Sequence, residues 1–253
     1  MELNLKGKKA LITGGGSGLG AEITKAFSAE GVDTAVNYIV DEENVFQLVE
    51  SIKQTYGTNC IAVKGDISCP KDVSSNIDEV IAKLGQIDIL INNAGVWPMA
   101  YVKDMRDEDW DRTISINLSG SFYFSKRVVQ HLLNRNSPGK IISVVSQAAF
   151  HGSTSGHAHY AASKGGLVTF TVSLAREVAK HNITVNAVAP GIMKTHMIQD
   201  ALSDHGNDYL ARIPLGRVAD PSEIADVVVF LASARADYIT GATIDVSGGM
   251  IMR

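Results

Sequence analysis

Short apolar runs alternate with amphipathic stretches from one end of the chain to the other. Ala10 to Ile12 is a compact apolar run of the kind a buried strand needs. After a cluster of glycines, Ala21, Ile23, Ala26 and Phe27 recur at helical spacing. The alternation continues with a strand over Asp33–Tyr38, a helix from about Asp41 to Tyr56, and a strand over Cys60–Lys64. Pro70 then opens a helix as its first residue, where its missing N–H costs nothing. Next come a strand over Ile87–Ile91, helices at about Asp107–Ile116 and Ser119–Leu133, and a strand over Lys140–Val145. A long helix over His159–Lys180 leads to a strand over Ile183–Val188, stopped by Pro190-Gly191. A helix over Pro221–Ser233 and a strand over Thr243–Val246 close the chain. Strand and helix signals alternating from end to end predict an α/β fold: a doubly wound parallel sheet of about seven strands with helices on both faces. With no linker, repeat or low-complexity stretch, residues 1–253 read as one domain, and the weakly periodic stretch at about 192–215 reads as a substrate lid.

The first strand runs into Thr13-Gly14-Gly15-Gly16-Ser17-Gly18-Leu19-Gly20. Strand, glycine turn and helix together set a helix N-terminus, with its free N–H groups, where a diphosphate can sit. The glycines supply a tight turn, close approach of backbone to phosphate, and close helix–strand packing. The strict G-x-G-x-x-G pattern fits no frame here, and no Lys-Ser or Lys-Thr follows Gly20, which excludes a P-loop.

Bulk properties narrow the function classes. The 253 residues carry a net charge of −4 with acids and bases intermixed, so there is no electrostatic case for nucleic acid or an anionic membrane. Cys60 and Cys69 can build neither a disulfide framework nor a metal site. No secretory leader and no membrane-length apolar run is visible, so the expectation is a cytoplasmic protein with a small-molecule substrate.

Tyr160 and Lys164 are four apart in a helical stretch and therefore neighbours on one face. A phenol with a pKa near 10 is a poor base at neutral pH, and an ammonium a few Å away stabilises the phenolate. Together with this pair, the glycine turn, Asn92-Asn93-Ala94-Gly95, Asn117, Ser146 fourteen residues before Tyr160, and Pro190-Gly191 with Thr195 occur in order along the whole chain. In these motifs the chain resembles the short-chain dehydrogenase/reductase family, in its short single-domain form, whose sheet is of Rossmann type.

The resemblance implies an oxidoreductase that passes hydride between a nicotinamide cofactor and a secondary alcohol or ketone. Tyr160 would exchange the proton with the substrate oxygen, and Ser146 would orient that oxygen. Lys164 would lower the tyrosine pKa and hold the nicotinamide ribose, and Asn117 would support a water relay. The cofactor would lie against Gly14, Ser17, Gly18, Leu19, Gly20, Tyr38, Asp66, Ile67, Asn93, Ala94, Gly95, Tyr160, Lys164, Pro190, Gly191, Ile192 and Thr195, with Asn92 also lining the cleft and Asp66 on the adenine amino group. Alternatives stand beside these roles: Ser143 competes with Ser146, Asn117 could cap a helix, Asp66 could be a turn residue, and Thr195 could cap a lid helix.

Relatives specific for NAD carry an acid at the end of the second strand, which is Tyr38 here. NADP-specific ones often carry an arginine one residue on, here Ile39, or a basic residue in the glycine turn, here Ser17. With Asp41, Glu42 and Glu43 nearby and no compensating cation in sequence, the reading favours NAD over NADP. Substrate-lining candidates are Trp97, Met99, Gln147, His151, His157, Ile192, Met193, Met197 and Tyr209, mostly apolar and without an arginine cluster. They predict a neutral, hydrophobic alcohol or ketone. The alternative is a 3-oxoacyl-[acyl-carrier-protein] reductase docking its carrier on Lys126, Arg127, Arg176 and Lys180; a further one is a non-catalytic cofactor-binding regulator. His151, His157 and His159 lack a cysteine or carboxylate at ligand spacing, so no metal is expected. Gly152-Ser153-Thr154-Ser155-Gly156 has threonine where a nucleophile elbow needs serine. The family implies a homotetramer, and Phe122, Phe124, Val128, Val129 and Leu132 look like more apolar surface than one helix face needs. The apolar tail from Gly248 to Arg253 would tuck against a neighbouring subunit.

Overall fold

The computed structural model describes residues 2–153, 155–194 and 210–252. Seven strands, β1 (Lys9–Thr13), β2 (Asp33–Tyr38), β3 (Cys60–Lys64), β4 (Ile89–Asn92), β5 (Gly139–Val144), β6 (Ile183–Pro190) and β7 (Thr243–Val246), form one sheet in the order β3-β2-β1-β4-β5-β6-β7. Every neighbouring pair is parallel. The chain starts in the middle, winds out to β3, then crosses back to β4 on the other side of β1. That reversal opens a crevice at the carboxyl ends of β1 and β4, the place where open α/β sheets bind ligands.

Among the described residues the α-helices are α1 (Gly18–Ala29), α2 (Glu42–Tyr56), α3 (Pro70–Leu84), α4 (Asp107–Ile114), α5 (Gly120–Asn134), α6 (Ala148–His151), α7 (Ala158–Val178) and α8 (Pro221–Ala232). Successive strand residues point to opposite faces. Ile12, Ile89 and Ile91 accordingly pack with Ile23, Phe27 and Val228 of α1 and α8, whereas Leu11 and Leu90 pack with Phe124, Val128 and Leu174 of α5 and α7. Both faces are dry, as the apolar strands require. Truncating a side chain such as Phe124, which is 1% exposed, costs about 3–5 kcal/mol. Among the described residues no helix is long and apolar enough to cross a membrane.

Several sequence expectations shift. Asp107 to Asn134 is one rod rather than two helices, because a single π turn over Ser115–Ser119 joins α4 to α5 without a break. The supposed surplus on α5 is mostly core: Phe124, Val128 and Leu132 are buried, and Val129 packs against the same cluster. Helix α5 meets both the sheet and α3, so it needs a wide apolar stripe; Phe122 does face outward, touching Phe170 edge-on. The four-residue α6 carried no usable helical period. Of the stretch assigned to a lid, residues 195–209 lie outside the described residues.

Candidate active site

The glycine turn is built by contacts that leave no room for side chains. Gly14 and Gly18 have positive φ, and a Cβ on Gly20 would stand 2.0 Å from the Gly14 carbonyl oxygen. The single Thr24 hydroxyl proton lies between the carbonyls of Gly20 at 2.8 Å and Gly15 at 3.1 Å, tying turn to helix. Ser17 is the N-cap of α1, yet its side chain makes no capping bond, and no acid sits in the first turn. The first N–H groups of α1 are therefore left for an external acceptor, and the helix dipole favours an anion there. This is donor chemistry that fits a dinucleotide diphosphate. Leu19, by contrast, turns its side chain into the core.

Across the crevice, the end of β4 braces that turn. Thr13 Oγ1 accepts from the N–H groups of Asn93 and Ala94, and Asn93 Nδ2 donates to the carbonyls of Thr13 and Gly14. The Asn93 side chain is thus committed to the turn. Asn92, expected in the cleft, is 2% exposed and donates to Ser125 and Ser143. Its strand position points it into the layer below the cleft. The same bond accounts for Ser143 as a core residue and removes it as a rival to Ser146.

Asn117 sits in the π turn, fully buried, and is not a helix cap. Its Oδ1 accepts from Val96 N at 2.8 Å, while Nδ2 donates to Val96 O at 3.0 Å and to Ser163 Oγ at 3.1 Å. The amide therefore clamps the backbone beyond Gly95 onto α7. A Cβ on Gly95 would lie 3.1 Å from Asn117 Oδ1 and 3.5 Å from Lys164 Nζ, so backbone, amide and lysine meet at one point. One helical residue can reach both backbone groups of Val96 because the π turn re-aims its side chain.

Tyr160 and Lys164 lie on the inner face of α7, with Nζ 5.8 Å from the centre of the phenol ring. Lys164 is 4% exposed and donates to Val144 O at 2.8 Å. Burial pulls its pKa down to about 8. Burial also pushes the Tyr160 phenol above its ordinary range, while the Ser146 hydroxyl hydrogen-bonded to it pulls the other way. One of the three lysine N–H donors is taken by the Val144 carbonyl, and the phenol is held above its ordinary range rather than below it. Desolvation of the phenolate is the larger effect. Ser146 Oγ also accepts from Ala148 N, which seats it at the start of α6. The adjacent Gln147 has a buried Oε1 with no hydrogen-bond partner.

The remaining expected residues divide. Tyr38 ends β2 with its hydroxyl donating to Glu42, and burial pushes its pKa up to about 12. Asp66 Oδ1 accepts from the N–H and hydroxyl of Ser68, so the turn role is real and occupies one oxygen. The Ile67 side chain belongs to the core, against Gly120. Pro190 ends β6, and Gly191 passes so near Ser247 that a Cβ would lie 2.8 Å from its Cα. Ile192 O accepts from Ala219 N.

Two residues expected at the substrate mouth make their contacts elsewhere. Met193 packs against the core cluster beside α8, because its bridge to Ala219 turns it inward. His157 is 3% exposed, stacks on Trp97 at 4.2 Å and hydrogen-bonds Pro98 O at 2.7 Å, so it fixes the 97–98 loop. That stack also covers one face of Trp97. His151 is exposed at the end of α6. Thr195, Met197 and Tyr209 lie outside the described residues. Among the described residues no group of three His, Cys, Asp or Glu could hold a metal ion.

A long-range network went unforeseen. Asn37 Nδ2 donates to Gly65 O and to Asn76 Oδ1, and Asn76 Nδ2 donates to Lys64 O, locking the ends of β2 and β3. An asparagine between Val36 and Tyr38, buried at the end of β2, was the signal available.

A family model described as enoyl-(acyl carrier protein) reductase matches residues 14–251. The chain is 40% identical over 246 residues to a 3-oxoacyl-[acyl-carrier-protein] reductase of Staphylococcus aureus, covering 97% of this chain and 98% of that protein. The Escherichia coli reductase of the same name is 39% identical over 253 residues, 99% and 100% of the two chains. Among solved structures, a short-chain type dehydrogenase/reductase from Mycobacterium marinum superposes with a TM-score of 0.94 at 30% identity, covering 100% of this chain and 98% of that one. A short-chain dehydrogenase from Burkholderia cenocepacia, solved in complex with NADP, gives 0.91 at 32% identity over 97% and 98%.

Proposed function

Because the chain belongs to the short-chain dehydrogenase/reductase family, we propose that this oxidoreductase is a 3-oxoacyl-thioester reductase acting on acyl groups held by a carrier protein. The observation that carries the narrowing is full-length similarity at 39–40% to reductases bearing that name. This reading takes the carrier-protein alternative in place of the neutral, hydrophobic alcohol or ketone expected first. Of the cations named for docking, Arg127 is paired with Asp78 at 3.1 Å, whereas Lys126, Arg176 and Lys180 are exposed on α5, on α7 and just beyond it.

A nicotinamide dinucleotide fits the donor set described above, and when bound it supplies or accepts the hydride. The first N–H groups of α1, from Ser17 to Gly20, would hold its diphosphate. Asp66 through its second oxygen, the backbone of Ile67, and the stretch from Asn93 to Gly95 would line the rest, with Pro190, Gly191 and Ile192 on the far wall. Tyr160 would give its proton to the ketone oxygen, since a phenol of raised pKa is protonated at neutral pH. Ser146, already bonded to that phenol, would hold the same oxygen and stabilise charge developing on it. Lys164 retains further donors after its bond to Val144, and turning one towards the phenol side of the site would stabilise the phenolate left when Tyr160 gives up its proton. Asn117 would act by position, fixing Val96 and Gly95 beneath the reacting groups rather than holding a water with its amide. Gln147 Oε1, buried and unpartnered, would accept from a donor on the substrate arm. The family expectation of a homotetramer remains part of the proposal.

The test is reduction of acetoacetyl-carrier-protein against a panel of simple ketones, following loss of reduced-nicotinamide absorbance. The proposal expects kcat/KM for the thioester to exceed that for simple ketones by at least about tenfold, some 1.4 kcal/mol. Turnover of simple ketones without thioester turnover returns the broader reading, and no hydride transfer with any substrate leaves a binding protein.

A further inference from the structure

Along the chain, acids and no cation surround the end of the second strand, which favours NAD over NADP. The fold removes that premise. Tyr38 and Lys64 are register partners on adjacent strands, so a residue twenty-six positions away along the chain stands beside the end of β2. Lys64 Nζ lies 5.9 Å from the centre of the Tyr38 ring and 3.0 Å from Glu42 Oε2, and Glu42 Oε1 accepts from the Tyr38 hydroxyl at 2.8 Å. Glu42 opens α2, whose first turn overhangs the glycine turn: a Cβ on Gly16 would strike Val45 Cγ2 at 2.4 Å, and Gly15 N donates to Asn37 O. This corner is therefore continuous with the turn assigned to the dinucleotide. It lies next to Tyr38, the position that in an NAD-specific relative would carry the acid for the adenosine ribose hydroxyls.

Both side chains of the pair are about half exposed, at 57% and 49%. An exposed ion pair contributes little, so exchanging the carboxylate for a better anion costs little. A phosphate monoester brings roughly two charges and three acceptor oxygens, against one charge on Glu42.

We propose that Lys64 is the specificity-determining cation through which this chain accepts a 2′-phosphorylated dinucleotide, with Glu42 as the internal anion that the phosphate displaces. The proposal rests on the cofactor site assigned above and adds a residue at neither of the two positions where NADP-specific relatives usually carry their cation. Glu42 also keeps the unphosphorylated dinucleotide acceptable, because it leaves no bare charge when the 2′ position is a hydroxyl.

The test uses the cofactor-free protein and two probes, ADP and 2′,5′-ADP, titrated by calorimetry at low ionic strength. Lys64→Gln should weaken 2′,5′-ADP by about tenfold while leaving ADP within twofold, and Lys64→Arg should restore most of the loss. Glu42→Gln should tighten 2′,5′-ADP by a few-fold, and added salt should shrink both effects. If Lys64→Gln changes both probes equally, or changes neither, the inference is overturned while the cofactor site stands. If the parent protein binds neither probe, it is the cofactor site itself that fails. Circular dichroism of each variant separates misfolding from either outcome, and both side chains are exposed enough to replace without opening the core.

Discussion

Replacing Asn117 with alanine removes three hydrogen bonds at once from a fully buried position. A buried hydrogen bond is worth about 1 kcal/mol net, and a polar group left without its partner costs about 1–3 kcal/mol. Val96 N–H and C=O both lose their partner, so the expected destabilisation of the cofactor-free protein is about 3 kcal/mol. For a chain of this length each kcal/mol moves Tm by roughly 2–4 °C, which places the fall at about 6–12 °C. Differential scanning calorimetry measures it. Asn117→Asp supplies a second check: its oxygen can still accept from Val96 N–H, but the other oxygen meets Val96 O where a donor stood. That variant should be no more stable than the alanine one at neutral pH, and acidification that protonates the new carboxyl should recover part of the loss. A shift under 2 °C for Asn117→Ala would refute the clamp and with it the account of how Gly95 is held.

Two other perturbations follow from the same geometry. Gly20→Ala places a methyl against the Gly14 carbonyl, where backbone must move, so ADP affinity should fall at least tenfold. Gly165→Ala, whose Cβ would meet nothing nearer than 3.5 Å, should leave affinity unchanged and stabilise the protein by up to about 1 kcal/mol in the same titration and melt. Lys164→Met isolates a pH effect. With a folded pKa of about 8 against an ordinary 10.5, the folded lysine binds fewer protons than the unfolded one between those values. Stability from this site therefore rises as pH climbs from about 8 to 10.5, by up to about 3 kcal/mol, and the parent should gain on the variant by that amount in paired denaturant melts. A stability difference between the two that stays flat across this window contradicts a buried, depressed lysine.

The repeating strand–helix pattern made the sheet and its layers readable, because parallel strands buried on both faces write near-continuous apolar runs. That Tyr160 and Lys164 meet was legible because it needs only helical spacing, whereas Ser146 was picked out by the family's motif spacing and its place after β5. What sequence hid was set by pairings distant along the chain. The partnership of Lys64 with Tyr38 depends on strand register, and the commitment of His157 depends on a loop folding back beneath it. The break expected between Ile116 and Ser119 is absent, since a π turn inserts one residue without any turn-forming signal, and with it goes the alternative that Asn117 caps a helix. The apparent surplus on α5 came from judging a helix against one neighbour when it packs against two.

Tyr160→Phe measures the central claim most directly. It removes one oxygen from the phenol beside Ser146 and leaves the ring over Lys164. The account predicts that kcat for thioester reduction falls at least about a thousandfold, within the usual range for a lost general acid, while ADP binding stays within twofold. A kcat within tenfold of the parent, with ADP binding intact, contradicts proton transfer by this phenol.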